Sequence, residues 1–170
     1  MIGKKMEEAL NGQIKEEMFS AYLYLSMSAW FDSINLKGFA NWMRVQWQEE
    51  LVHALKIFDF VNERQGTVNL KQLDAPQLKW DSPLMAFEAA YKHEQHITKC
   101  INNLVQTAID EKDIATEIFL EWFVNEQVEE EASADEIVQQ LKLVGDKGQG
   151  LFMINRELGQ RTFKPETEAE

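Results

Sequence analysis

The chain has 170 residues, 45 % of them hydrophobic and only three of them proline, a composition suited to one domain of long helices around a sizeable core. Its formal net charge of -12, from 29 acidic and 17 basic residues, repels nucleic acid and anionic membranes and draws cations. A single cysteine, Cys100, excludes an internal disulfide, and neither the start of the chain nor the charge-free run Met18 to Phe31 has a signal-peptide core or the length of a membrane span, so the cytoplasm is the expected location.

Hydrophobic spacing and punctuation predict an all-α fold over residues 1–170: a four-helix bundle with one long crossover and a short fifth helix. The first helix, α1, is expected over about residues 5–31, with the stripe Leu10, Ile14, Glu17, Ala21, Tyr24, Ser28 and Phe31. The turn Asp32, Ser33, Ile34, Asn35 offers polar side chains to cap α2, expected over about residues 36–65 with the stripe Phe39, Met43, Gln46, Glu50, His53, Ile57 and Phe60. Gly66 stops it. Residues 66–81 have no helical period and contain Pro76, until Asp81, Ser82 and Pro83 supply a cap and a first-turn proline for α3, about residues 82–109. Its stripe is Phe87, Ala90, Glu94, Ile97, Ile101, Leu104 and Ala108. Asp113 then starts α4, about residues 113–145, with Leu120, Phe123, Gln127, Glu130, Ala134, Ile137, Leu141 and Val144 on one face. Glycines 145, 148 and 150 break it, an apolar α5 follows over about residues 150–159, and a polar tail covers residues 160–170.

Short turns make α1–α2 and α3–α4 antiparallel hairpins. The crossover of about 15 residues reaches roughly 50 Å when extended, whereas a thirty-residue helix is about 45 Å long. It can therefore return along the whole bundle and leave α2 and α3 parallel.

Each stripe is interrupted near its middle by a carboxylate, and the second also by a histidine. Glu17 and Glu50 lie about equally far from their shared turn, and Glu94 lies within one helical turn of Gln127 and Glu130 when measured from the other. A lone Glu50/His53 pair at i,i+3 spacing is more often a wet helix face, the acidic run from Glu126 to Glu131 more often a solvated one, and Tyr24 more often a core tyrosine. Coincidence fails across four helices at one level, because buried unpaired carboxylates cost several kcal/mol each. The ordinary reading is kept for Glu131 and Cys100, and stands even for Glu49, Glu126 and Glu129. Four carboxylates with a neutral imidazole carry -4, which two divalent cations neutralise; oxygen donors with one nitrogen suit iron or manganese, with zinc as competitor.

With Glu17 and Tyr24 on α1, Glu49, Glu50 and His53 on α2, Glu94 on α3, and Glu126, Gln127, Glu129 and Glu130 on α4, the whole chain resembles the bacterial non-haem ferritins. The resemblance implies a ferritin-like bundle. It implies a di-iron centre in which Glu17, Glu50 and His53 hold one iron and Glu50, Glu94 and Glu130 the other, with Gln127 hydrogen-bonding nearby and Tyr24 beside the pair. Glu49, Glu126 and Glu129, sharing Glu130, look like an accessory third iron site. Haem is not expected: haem-carrying relatives have a second E-x-x-H on α4, where this chain has Gln127 and Glu130, and a ligand methionine where it has Leu51. The implied function is storage of ferric oxide-hydroxide mineral in a shell of 24 identical subunits, after oxidation of Fe2+ by O2 or peroxide. Two other readings remain open at this point: a rubrerythrin-like peroxidase or manganese catalase, and a non-catalytic metal-buffering assembly. A lone Cys100 excludes a rubrerythrin that carries a C-x-x-C iron domain.

Overall fold

The computed structural model describes residues 1–145 and 148–164. Its elements are α1 (Lys4–Ser33), α2 (Lys37–Glu63), α3 (Pro83–Glu111), α4 (Ile114–Val144) and α5 (Gln149–Leu158). The tail expected for residues 160–170 is described only as far as 164, and the rest of it lies outside the described residues.

The ends of the helices follow local chemistry. Between α1 and α2 the expected polar cap is absent: Leu36 occupies the N-cap position of α2 with no side-chain hydrogen bond. The turn is made instead by Asn35 at φ +62°, and by the Leu36 N–H, which donates to the Phe31 carbonyl at 3.0 Å. Asp32 accepts an ion pair from Lys37 at 2.7 Å. Ser82 and Pro83 do start α3, with the Met85 N–H donating to Ser82 Oγ at 3.2 Å. Asp113 caps α4 by accepting from the Thr116 N–H at 3.3 Å, and Arg64 from the end of α2 grips the same carboxylate at 3.0 and 3.2 Å.

At the end of α2, Gln65 takes the left-handed conformation with φ +57°, so the helix closes two residues before the position that Gly66 suggests. Gly66 is needed for another reason: a Cβ there would lie 2.9 Å from Ile2 and Glu7 side-chain atoms. The crossover then runs beside α1. Asn11 donates to the Thr67 carbonyl and accepts from the Asn69 N–H, Ser26 donates to the Gln77 carbonyl, and Trp80 packs edge-on against Trp30 with ring centroids 5.5 Å apart. Its path from Asn11 to Trp30 returns the chain along most of α1.

Two apolar clusters fix the directions of the helices. One joins Leu23 to Phe31 of α1, Phe39 to Met43 of α2, Ala86 to Ala90 of α3 and Ile137 to Leu141 of α4, with Ile154 and Leu158 of α5. The other joins Met6 to Ile14, Ile57 and Val61, Ile97 to Ala108, and Leu120 and Phe123. The start of α2 therefore sits level with the start of α3 and their ends meet likewise, so these two run parallel while each pairs with an antiparallel neighbour. Each large side chain buried there contributes about 1.5–3 kcal/mol.

The fifth helix rests on the start of α2. The Gly38 N–H donates to Asn155 Oδ1 at 2.9 Å, and a Cβ on Gly38 would lie 1.5 Å from the Asn155 carbonyl oxygen. No helix among the described residues is long and apolar enough to cross a membrane.

Candidate metal centre

Between the two apolar clusters lies a buried polar layer to which every helix of the bundle contributes. Glu17 comes from α1, Gln46, Glu50 and His53 from α2, Glu94 from α3, and Gln127 and Glu130 from α4. Glu17, Glu50 and Glu94 are each 1 % exposed. Glu130 is partly exposed as a residue, yet its Oε2 is buried. Their positions follow from the stripes: each acid replaces an apolar residue on the face that the helix must bury to pack.

The donors form two groups that share one residue. One atom each from Glu17, Glu50 and His53 lie within 4.8 Å of one another, and so do one each from Glu50, Glu94 and Glu130. His53 Nδ1 is 3.7 Å from Glu50 Oε2. The five residues singled out from the sequence for a di-metal centre are thus brought together, with Glu50 common to both groups. Tyr24 and Gln127 also sit at this level. The Tyr24 hydroxyl donates to Glu94 Oε1, and Gln127 Nε2 donates to Glu94 Oε2 and to the Glu94 carbonyl, both at 3.3 Å.

Electrostatics show the layer to be costly without cations. Burial pushes the Glu17, Glu50 and Glu130 carboxyls above their ordinary value; neighbouring carboxylates add to the rise at Glu50 and Glu130, whereas His53 and the Gln13 hydrogen bond offset part of it at Glu17. Burial raises Glu94 to about 7 despite its hydrogen bonds from Tyr24 and Gln127. Burial opposes a charged His53, but Glu130, Glu17, Glu126 and Glu94 outweigh it and raise that imidazole instead. Among the described residues, three buried side-chain polar atoms lack a hydrogen-bond partner: Trp80 Nε1 by the crossover, and Glu17 Oε2 and Glu130 Oε2 in this layer. An orphaned carboxylate oxygen in each donor group fits a pair of divalent cations.

Four residues in or beside the layer carry no site role in the sequence pattern: Gln13, Gln46, Arg161 and His93. Gln13 donates to Glu17 Oε1 at 2.8 Å. Gln46 Nε2 donates to Glu50 Oε1 at 3.2 Å and Glu130 Oε1 at 2.8 Å, while its own Oε1 accepts from Arg161 at 3.0 Å. Gln46 was visible as a polar break in the α2 stripe, next to Glu50 by one turn, and that was the available signal. Arg161 lies beyond the last helix, where periodicity is silent. His93, buried beside Tyr24, bonds to Ser20 Oγ at 2.7 Å and is held down at about 4 by burial and by His96, so it stays neutral.

Glu49, Glu126 and Glu129 line a cavity of about 180 Å³ that also meets His53, Glu130 and Arg161. Arg161 Nη2 donates to Glu49 Oε2 at 2.5 Å, and its guanidinium stacks 4.5 Å from the Trp42 ring. Among the described residues these three acids do not converge within 4.8 Å as the buried donors do. The cavity joins the buried layer to the surface on the α2/α4 side, and an arginine occupies part of it.

A ferritin-like domain matches residues 7–144. A bacterial non-heme ferritin of Bacteroides fragilis is 45 % identical over 161 residues, covering 95 % of this chain and all of its own, and one of Staphylococcus aureus is 38 % identical over 166 residues, covering 98 % and 100 %. The open-pore ferritin of the hyperthermophilic archaeon Archaeoglobus fulgidus superposes with a TM-score of 0.93 at 58 % identity over 95 % of this chain and 98 % of its own. A closed form of it engineered by mutagenesis gives 0.95, with 58 % identity over 96 % and 100 %. Four helices meeting in one layer of acids, with a long return crossover and a short fifth helix, define a carboxylate-centred four-helix bundle, and this chain belongs to the ferritin family. The function that goes with this membership is iron storage.

Proposed function

We propose that the protein is a ferroxidase as well as a store: it oxidises two Fe2+ per subunit with O2 or peroxide and keeps the product as ferric oxide-hydroxide inside a homo-oligomeric shell of 24 subunits in the cytoplasm. Iron is the substrate. Glu17, Glu50 and His53 would hold one ion and Glu50, Glu94 and Glu130 the other, and the convergence of these side chains around two orphaned oxygens carries the reading.

Side-chain chemistry supports turnover. Binding a cation requires Glu94 and its neighbours to release protons, which the -4 set does readily once a divalent charge replaces them. Tyr24 and Gln127 fix both oxygens of Glu94, and Gln46 fixes one oxygen each of Glu50 and Glu130. The carboxylates are thus held in place before the ions arrive. Two ferrous ions give two electrons to the oxidant. The ferric pair carries +6 against -4, so it recruits hydroxide or oxide and sheds protons, which turns a bound ion pair into a mineral precursor. The acidic cavity with Glu49, Glu126 and Glu129 then offers a path and an accessory third iron site. Exposed apolar residues support assembly: Phe152 and Met153 of α5 are 68 % and 69 % exposed in the single chain.

An aerobic Fe2+ titration with simultaneous O2 measurement and particle mass tests the whole. The expected result is a large hollow particle that consumes O2 at the first two irons per subunit and then retains many more. A small oligomer that turns over peroxide without retaining iron would replace this reading with that of a peroxide-consuming bundle enzyme.

A further inference from the structure

The opposite side of the bundle, formed by α1 and α3, carries a second set of donors that the buried layer does not use. One atom each of Glu16, His96 and Cys100 lie within 4.8 Å of one another. His96 and Cys100 are one turn apart on α3, at i,i+4 spacing, and Glu16 faces them from α1. The same ring nitrogen faces both partners: His96 Nε2 is 3.0 Å from Glu16 Oε2 and 3.6 Å from Cys100 Sγ.

That nitrogen carries either one hydrogen or one lone pair. With the hydrogen it satisfies the carboxylate and leaves the thiol proton without its acceptor; with the lone pair it accepts from the thiol and confronts the carboxylate. A cation seated among the three satisfies all of them. Tetrahedral zinc, at about 2.3 Å from thiolate and about 2.0 Å from imidazole and carboxylate, sets sulfur and nitrogen about 3.5 Å apart and nitrogen and oxygen about 3.3 Å apart. On these two edges the observed 3.6 and 3.0 Å need shifts of only about a few tenths of an ångström, and the third edge, Glu16 to Cys100, closes from within 4.8 Å, within reach of side chains that are half-buried or exposed. Thiolate with imidazole and one carboxylate favours zinc over ferrous iron, whereas the buried layer has four carboxylates to one imidazole.

We propose that Glu16, His96 and Cys100 form a zinc-class cation site on the α1/α3 face, separate from the iron-handling layer and from the Arg161 cavity. On binding, the Cys100 S–H bond breaks, a sulfur–metal bond forms and the proton passes to the solvent; no electron moves. Water fills the fourth position.

Cys100 is the sole cysteine of the chain, so a thiolate-to-metal charge-transfer band reports this site alone, whatever the carboxylates bind. Metal-free, full-length assembled protein is titrated with Co2+ as the zinc surrogate. A near-ultraviolet thiolate band is expected to saturate at one cobalt per chain. It is lost in Cys100→Ser, needs about tenfold or more cobalt in His96→Ala, and survives in Glu50→Leu, which removes the buried site. In the unaltered protein Zn2+ is expected to slow iodoacetamide alkylation of Cys100 by about tenfold or more, a measurement that needs no variant to fold. An absent band, a band indifferent to His96→Ala, or alkylation indifferent to Zn2+ each overturns the assignment.

Discussion

Compare two cross-sections of the bundle. Where Phe31, Phe39 and Phe87 meet, ring centroids are 5.1 to 6.0 Å apart and the four helices exclude water from an apolar interior. Further along the same helices, the same inward-facing positions hold Glu17, Glu50, Glu94 and Glu130. Backbone geometry is alike in both, so the difference lies in side chains alone. The aromatic section contributes to folding. The acidic section opposes it while its carboxylates are charged and unpaired, and the apolar clusters on either side supply the stability that lets it persist.

That contrast can be broken most decisively at Glu50, the residue common to both donor groups. Glu50→Leu is expected to abolish paired-cation binding and O2-dependent iron oxidation, while the metal-free protein becomes more stable by about 1–4 kcal/mol. Oxygen-electrode traces and calorimetry together check both halves; a variant that loses stability along with activity would contradict the division of labour. Phe87→Ala in the aromatic section should do the reverse, costing about 3–5 kcal/mol with the oxidation rate per folded subunit unchanged. Chemical denaturation alongside stopped-flow oxidation reads this out.

Acidity sharpens the same comparison. Glu94 titrates at about 7 in the folded metal-free protein against an ordinary 4.5, so the folded state holds the proton more tightly. Its contribution to stability is present below about 4.5 and is lost as pH rises through about 7, amounting to about 3 kcal/mol. Melting curves of metal-free protein between these limits should fall with rising pH, and saturation with a divalent cation should abolish that fall. A metal-free protein that melts higher at neutral pH than in mild acid would reverse the sign. Arg161→Ala gives the smallest effect. Removing a half-buried guanidinium from Glu49 should strengthen divalent-cation binding in the Glu49, Glu126 and Glu129 cavity by about several-fold, measured by calorimetric titration with the buried site already filled.

Much of this was legible in the chain. Glu17, Glu50, His53, Glu94 and Glu130 stood out because an acid on an apolar stripe is a local anomaly, and equal heights on four helices could be counted from the turns. Ser82 with Pro83, and Asp113, marked helix starts because a cap works through neighbours in sequence. What stayed hidden depends on distant partners. Leu36 at the start of α2 shows no capping chemistry, because that turn is set by backbone bonds and Asn35. Arg161 meets Glu49 only after α5 has folded back, and the His96 and Cys100 pair, one turn apart on α3, gains Glu16 only when α1 lies against α3.

The close approach of Gly38 to Asn155 has a reach beyond its own contact. A hydrogen in place of a methyl group lets the fifth helix sit on α2, and that seat leads the following residues to Trp42, Gln46 and Glu49. Asn41 extends the clasp by donating to the Leu158 and Arg161 carbonyls. The absence of a side chain at Gly38 thereby sets where α5 docks and, through Arg161, what lines the acidic cavity on the α2/α4 side.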